Sequence, residues 1–464
     1  MRFSRTLEKT TRTFARAASP GAKYQQESRH QYSWTAPGRD VLELVVCFAP
    51  QEIPASLPRF AAVRRASVSH WESYWTRGGV IDLSASTDPR WRELERRIVL
   101  SQFQTALNCS GSLPPQESGL VQNSWFGKFH LEMHWWHAAH FALWGHQDLL
   151  KSSMGYYREI LPIARDTASR IGCQGARWPK MVGPDGIESG NFINPFLTWQ
   201  QPHPIHMAEL LYQATPTRQT LEAYKDIVLE SAEFMASYAK WNEQRQGFEL
   251  GGPIVAANEQ NFPRRRSSKN PTFDIAYWSW TLGIANQWRE RLGMSRSEQW
   301  DRVRNNFVPL PVAEDGIYQE IEKGESPRHD HPSMLGALGI VGDTNLVDHG
   351  TMQKTLDFVL TKWPLNTTWG WDYPMMAMTA TRLGRPDQAV DSLLLDASKN
   401  RYLANGHNYQ TSQLPLYLPG NGGLLFAVAM MAAGWKNGPQ RHASQLSFSR
   451  CSAERERMRA ALLA

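Results

Sequence analysis

The 464-residue sequence predicts an all-α protein, a toroid of paired helices with a short N-terminal β element, and three observations carry that prediction. From about residue 88 onward apolar residues recur at three and four spacing, the period of a helix with one buried face. Twelve such stretches lie near 90–109, 131–145, 147–172, 199–214, 218–241, 271–292, 296–306, 332–341, 345–362, 373–384, 386–399 and 421–435, separated by Gly, Pro and Asn. Strand-like patterning is confined to one run, DVLELVVCF, before the Pro-marked segment FAPQEIPASLP. Twelve helices in hairpins close as an (α/α)6 ring, six inner and six outer.

Composition narrows the function classes. The net charge of +6 sits in the termini: residues 1–29 carry +5 and residues 436–464 carry +4, which leaves −3 between them. The body therefore lacks the basic groove of a nucleic-acid-binding protein. No apolar run approaches the roughly 20 residues of a membrane span, and the first residues lack the apolar core of a secretory signal. The four cysteines, Cys47, Cys109, Cys173 and Cys451, have no paired spacing, so neither a metal site nor a cofactor is implied by them.

Aromatic content stands out. The 19 Trp residues cluster near Gly, His, Gln and carboxylates. Indole faces stack on the C–H faces of pyranose rings while polar groups bond the hydroxyls, so the mixture suits a carbohydrate partner, with a Trp-rich core as the alternative. The densest stretch is WFGKFHLEMHWWHAAHFALWGH at 125–146, where His130, His134, His137 and His140 share one helical face. Glu132 falls in the wrong place to act as the base of a zinc protease helix, which leaves a His-rich core or a sugar-binding rim formed by Trp125, Lys128, His130, Glu132, His134 and Trp135. The loop GARWPKMVGPDGIESG contributes Arg177, Trp178 and Glu188, and Gln200, Gln201 and His203 precede the next helix.

Glycosidic cleavage requires two carboxyls, one protonated at the leaving oxygen and one ionised. Glu259, in the loop ELGGPIVAANEQN, and Asp372, in TTWGWDYPMMAMTATRLG beside Trp371, are the candidates, with Glu132 as a substitute for either. Asp372 also reads as an N-cap. The turn Pro419–Gly423, which contains Asn421, opens the last helix and lets backbone amides approach a ligand.

Together, GKFHLEMHWW, GARWPKM, LGGPIVAANE, NPTFDIAYW, WGWDYPMMAMTATRLG and PGNGGLLFAVAMM resemble the six-hairpin glycosidases of glycoside hydrolase family 65 and, more distantly, the α-L-fucosidases of family 95. The resemblance spans roughly residues 60–435 and implies a glycosidase with its acid carboxyl at Glu259. Phosphorylases of the group carry a Ser-rich phosphate loop where this chain has Thr-Trp-Gly-Trp-Asp, which favours hydrolysis with Asp372 as the base of an inverting enzyme. Glu132, His134 and Pro419 stand where the fucosidases carry other residues, which argues against fucose. Such proteins begin with a large β-sandwich, so the expected domains are a sandwich remnant at 1–50, a linker helix at 51–88, the catalytic toroid at 89–436 and a disordered tail at 437–464. A carbohydrate-binding or inactive remnant is the alternative, and a lyase of acidic sugars a weaker one.

Overall fold

The computed structural model describes residues 2–7, 11–29, 31–49, 51–322, 327–342 and 344–435. The expected disordered tail lies outside these residues. The chain divides into two units, Met1–Gly78 and Gly79–Ala464.

The first unit holds more strands than its sequence pattern announces. Strands β1 (Arg2–Leu7), β2 (Thr11–Ala18) and β5 (Val45–Ala49) form an antiparallel sheet in the order β1-β2-β5, and β3 (Lys23–Ser28) pairs with β4 (Gln31–Thr35) as a hairpin. Helix α1 (Phe60–Arg77) ends the unit. Strand β3, KYQQES, is exposed on both faces. Without one buried face it has no period-two alternation to read.

The second unit is the toroid. Its helices are α2 (Trp91–Cys109), α3 (Leu131–Ala138), α4 (His140–Leu143), α5 (Gln147–Glu159), α6 (Leu161–Ser169), α7 (His203–Ala214), α8 (Arg218–Tyr238), α9 (Thr272–Arg291), α10 (Glu298–Asn305), α11 (Gly336–Gly339), α12 (His349–Lys362), α13 (Asp372–Arg382), α14 (Pro386–Leu394) and α15 (Leu418–Ala433). Helices α3, α7, α9, α11, α13 and α15 each pack on the next, and α15 packs back on α3, so six inner helices close a ring. Helix α4 continues α3 and packs on α15 and α7, and the remaining helices lie outside the ring. Inner helices α13 and α15 are buried around nearly their whole circumference. That is why their sequences are apolar or small on every face. The expected helix at 147–172 breaks at Ile160, because Pro162 has no N–H to continue α5 and instead sits in the first turn of α6.

The run Pro419–Gly423, expected as a turn, lies inside α15. Its glycines serve close packing. A Cβ at Gly422 would stand 1.9 Å from the Trp136 carbonyl oxygen of α3, and one at Gly423 would stand 2.9 Å from Pro374 of α13. A Cβ at Gly420 would stand 2.2 Å from Asn408 Oδ1. Gly422 brings α15 against the α3 backbone, and Gly423 lets it close on the side chains of Pro374 in α13 and Trp136 in α3.

Replacing Gly422 by Ala forces α3 and α15 apart against a carbonyl that cannot yield. The expected cost is roughly 3 kcal/mol or more, read as a lowered Tm in calorimetry, whereas Ala at Gly384, whose Cβ would meet nothing within 4 Å, is expected to cost only about 1 kcal/mol for its left-handed backbone.

Candidate active site

The inner helices all begin at the same end of the toroid. Glu132 lies in the first turn of α3, Trp199 precedes α7, Phe273 opens α9, His331 precedes α11, Asp372 starts α13 and Tyr417 precedes α15. Ring contacts join them: Trp199 stacks on Trp371 at 5.9 Å and on Phe273 at 5.7 Å, and His331 lies 4.4 Å from Trp371. Each helix N-terminus carries about half a positive charge, so this end favours anionic groups. It is where the buried carboxyls collect.

Two ion-paired groups organise the rim. A short antiparallel bridge, β6 (Phe129–His130) with β7 (Met181–Val182), extends into a bond from Leu131 N to Lys180 O at 2.8 Å. It sets Lys180 beside the first turn of α3, where its ammonium lies 3.0 Å from Glu132 Oε1 and also donates to Glu259 Oε1. Glu259 comes from the loop between α8 and α9 and has a left-handed φ of +62°. A non-glycine residue held there costs about 1–3 kcal/mol and needs surrounding contacts to keep it. Asn258 supplies them by donating to the carbonyls of His329 and His331 at 2.9 and 2.6 Å, while Gln260 donates to Asp330 at 2.7 Å. The Glu259 loop is thereby tied to the second group. In that group His331 Nδ1 donates to the Asp372 carboxylate at 3.0 Å, and Trp369 N–H donates to Asp372 Oδ2 at 2.7 Å.

Asp372 is fully buried, and the capping expectation is corrected: the N-cap position is Trp371, and both Asp372 oxygens turn toward His331. Burial raises the Asp372 carboxyl and the His331 charge opposes that rise. His331 itself is pushed up to about 9, because the nearby Asp372 outweighs the burial that would lower it, with Asp330 and Glu259 adding to the effect. Burial pushes Glu132 up to about 7, Lys180 opposing and Glu259 assisting.

Beneath these groups lies Glu117, from the loop after α2. Burial pushes it up to about 8, with Glu132 adding to the rise. Its Oε1 is 3.3 Å from His130 Nε2. His130 Nδ1 lies 3.1 Å from the Lys128 carbonyl and must donate to it, so Nε2 carries a lone pair. Burial pushes His130 down to about 3. The proton between them therefore rests on Glu117. Glu117, His130 and Glu132 also offer ligand atoms within 4.8 Å of one another. The Lys180 ammonium already supplies the cation that Glu132 requires.

The predicted residues divide between this cluster and the framework. Trp125, Lys128, His130, Glu132, Glu259, Trp371 and Asp372 are at the rim. The other predicted residues lie in the framework, most with their polar atoms bonded there, although Trp135 Nε1, Gln200 Oε1 and Glu188 Oε1 have no hydrogen-bond partner among the described residues. His134 is buried between Ser153 Oγ at 2.9 Å and Tyr157 Oη at 3.0 Å. Gln200 and Gln201 clamp the Trp178 backbone, and Trp178 Nε1 donates to Ser231. His203 bridges Glu132 O and Tyr277 Oη. Asn421 donates to Ser101 and the Gly406 carbonyl, and Trp135 is packed against Phe426 at 4.4 Å. Arg177 donates to the carbonyls of Asn194 and Pro195 and lies 3.5 Å from Glu188. Trp369, which flanks Asp372 in the sequence, also reaches the rim, as does Lys180, which offers with Arg177 the cations a lyase would need. Glu117, His331 and Tyr417 are the rim residues absent from the sequence expectations. Position is the signal for the last two, which precede inner-helix starts.

No family model matches the chain. It is 25% identical over 320 residues to an uncharacterized glycosyl hydrolase of Mycobacterium tuberculosis strain H37Rv, and equally to its counterpart in strain CDC 1551 / Oshkosh. The match takes in 61% of this chain and only 23% of those proteins. Among solved structures, a protein from human microbiome assigned as a kojibiose phosphorylase is similar with a TM-score of 0.66 at 10% identity, covering 92% of this chain and 64% of that one. A glycosidase variant in complex with glucose gives 0.53 at 11% identity over 73% and 97% of the two chains. A bacterial glucoamylase complexed with acarbose gives 0.53 at 10% over 91% and 72%. At these identities the likeness is one of fold, the six-hairpin α/α toroid.

The raised carboxyls have a signed consequence for stability. Glu117 binds a proton more tightly folded than unfolded, so its contribution falls as pH climbs from the ordinary carboxylate range through about 8. Glu132 acts in the same direction up to about 7, and the His331 contribution is lost as pH rises through about 9. Glu117→Gln keeps the neutral form at every pH. Its Tm is expected to match the parent at pH 5 and exceed it at pH 9 by on the order of 4 °C, measured by scanning calorimetry.

Proposed function

We propose that the toroid is the catalytic part of a glycoside hydrolase that removes a sugar from an α-linked disaccharide or glycan terminus by inversion, with Glu259 as general acid and Asp372 as general base. The observation that carries this reading is the pair of tethered groups at one rim: Glu259 on Lys180 and Glu132, and Asp372 on His331, with Asn258 linking the two loops. Glu132 and Glu259 share the Lys180 ammonium, so the ionisation of Glu132 at about 7 changes the charge that Glu259 meets. Glu259 is the more exposed of the two carboxyls, with a quarter of its side chain accessible, and is the one able to reach a leaving oxygen. Asp372, held by His331, accepts the proton of the attacking water. The carbohydrate ligands of the solved neighbours, glucose and acarbose, support a sugar substrate.

A second reading, a sugar-binding remnant without turnover, draws on the same contacts, because each carboxyl is already held by a cation. Product release distinguishes the two. Glu259→Gln is expected to lower kcat on an α-linked disaccharide about 1,000-fold, with most of the loss recovered on a dinitrophenyl glycoside, whose leaving group needs no acid. Asp372→Asn should lose activity on both. Full activity in either variant sinks its assignment, and NMR detection of the β-anomer as first product tests inversion. In the parent, kcat/KM should decline on the alkaline side with an apparent pKa near 7, the value at which Glu132 gives up its proton.

A further inference from the structure

The segment just before α3 is unusual in its backbone. Trp125, Phe126 and Gly127 have φ of +44°, +61° and +70°, one turn of left-handed chain in which two residues carry side chains. L-residues pay for that conformation, and it persists where contacts over-determine it. Here the turn sends two adjacent rings in different directions. Phe126 is 93% exposed, whereas Trp125 folds back, its ring 5.5 Å from His130 and 6.4 Å from Trp369.

These contacts make Trp125 the outer end of a ladder of rings. Trp369 lies 6.1 Å from His331, which lies 4.4 Å from Trp371, and His331 holds Asp372. Exposure falls steadily along it: Trp125 is 38% accessible, Trp369 is half-buried and Trp371 is buried. Trp369 is in addition capped by the Lys399 ammonium, 4.6 Å from its ring centre. Trp125 is therefore the indole with the most free surface, and it stands on the solvent side of the carboxyls. Groups that bond hydroxyls surround the same stretch, with Lys399 over Trp369 and Asp330 beside His331.

We propose that Trp125, fixed by the left-handed turn, is the platform on which the leaving-group ring of the substrate stacks, and that this ring is a second pyranose. The proposal rests on the glycosidase reading above and assigns it a direction: the terminal sugar lies inward by Glu132 and Lys180, and the rest of the substrate lies outward along Trp125. A pyranose fits better than a purely apolar group because the ring faces are interleaved with an ammonium and a carboxylate. Phe126, turned to solvent, takes no part.

The test compares two substrates of one sugar, an α-linked disaccharide and the α-glycosyl fluoride, whose leaving group is a single atom. Trp125→Ala is expected to raise KM about tenfold on the disaccharide while its kinetics on the fluoride stay within about twofold. Trp125→Phe should recover part of the loss, and Phe126→Gly should behave as the parent on both. Equal effects on the two substrates, or no effect on either, overturn the platform. If the parent cleaves neither substrate, the hydrolase reading fails by itself. Equilibrium binding then decides: disaccharide binding weakened by Trp125→Ala with monosaccharide binding unchanged supports the platform, and equal affinities in parent and variant overturn it.

Discussion

Closure of the helical ring depends on how near α15 can come to α3 and α13. The Trp136 carbonyl oxygen would stand 1.9 Å from a Cβ at Gly422, so the contact exists only because that position has none. At Gly422 backbone meets backbone, and at Gly423 the α15 backbone meets the Pro374 and Trp136 side chains. Once α15 is seated, the ring holds six helices whose first turns face one end, and Tyr417, which precedes α15, is brought among the carboxyls of Glu117, Glu132 and Asp372. A steric condition on three glycines is thus upstream of the electrostatics at the rim.

Those electrostatics follow from burial. Carboxyls removed from water hold their protons more tightly unless a cation or an N–H repays the lost hydration. The rim uses both outcomes side by side. Glu117 has a neutral imidazole as its neighbour and is pushed up to about 8, whereas the burial that raises Asp372 is opposed by a charged imidazole and a backbone N–H. Lys180 stands between Glu132 and Glu259 and leaves one cation for two acids. Groups of the same type are therefore poised differently within a few ångströms, which is the condition acid–base chemistry at neutral pH requires. Asn258 and Gln260 tie the Glu259 loop to the His331 loop, which in turn holds Asp372.

The neighbours in fold space are glycosidases and an assigned phosphorylase, and they share the toroid at identities near 10%. A fold supports many reactions, so the functional argument rests on the carboxyls of this chain and on what holds them. The same separation applies to the aromatic residues. Many of the Trp residues that make the composition distinctive are framework: Trp135, Trp136, Trp144, Trp178, Trp199, Trp278 and Trp288 are buried, and several donate their indole N–H to backbone or side-chain oxygens. The exposed Trp125 is the exception on the rim side.

The sequence by itself determined the helices, because periodicity reports which face of each is buried, and Pro and Gly mark where they end. It also marked Glu132, Glu259, Trp371 and Asp372, which stand out as acids and indoles at helix starts or in long loops. Strand β3 stayed hidden, since a short, polar strand exposed on both faces has no buried face to impose a pattern, and β2 buries only small Ala15 and Ala17. Only the tertiary structure decided which chemistry-bearing residues meet. Gln200, Gln201, His134 and Asn421 have the composition of hydroxyl-binding groups, yet their hydrogen bonds are spent on the framework, and nothing local to their segments distinguishes the two uses. Glu117, Lys180 and His331 are unremarkable in their own loops and become a site through partners from 13 to 300 positions away. Hydrogen bonding and charge pairing act over a few ångströms in space, and the sequence does not record that distance until the ring has closed.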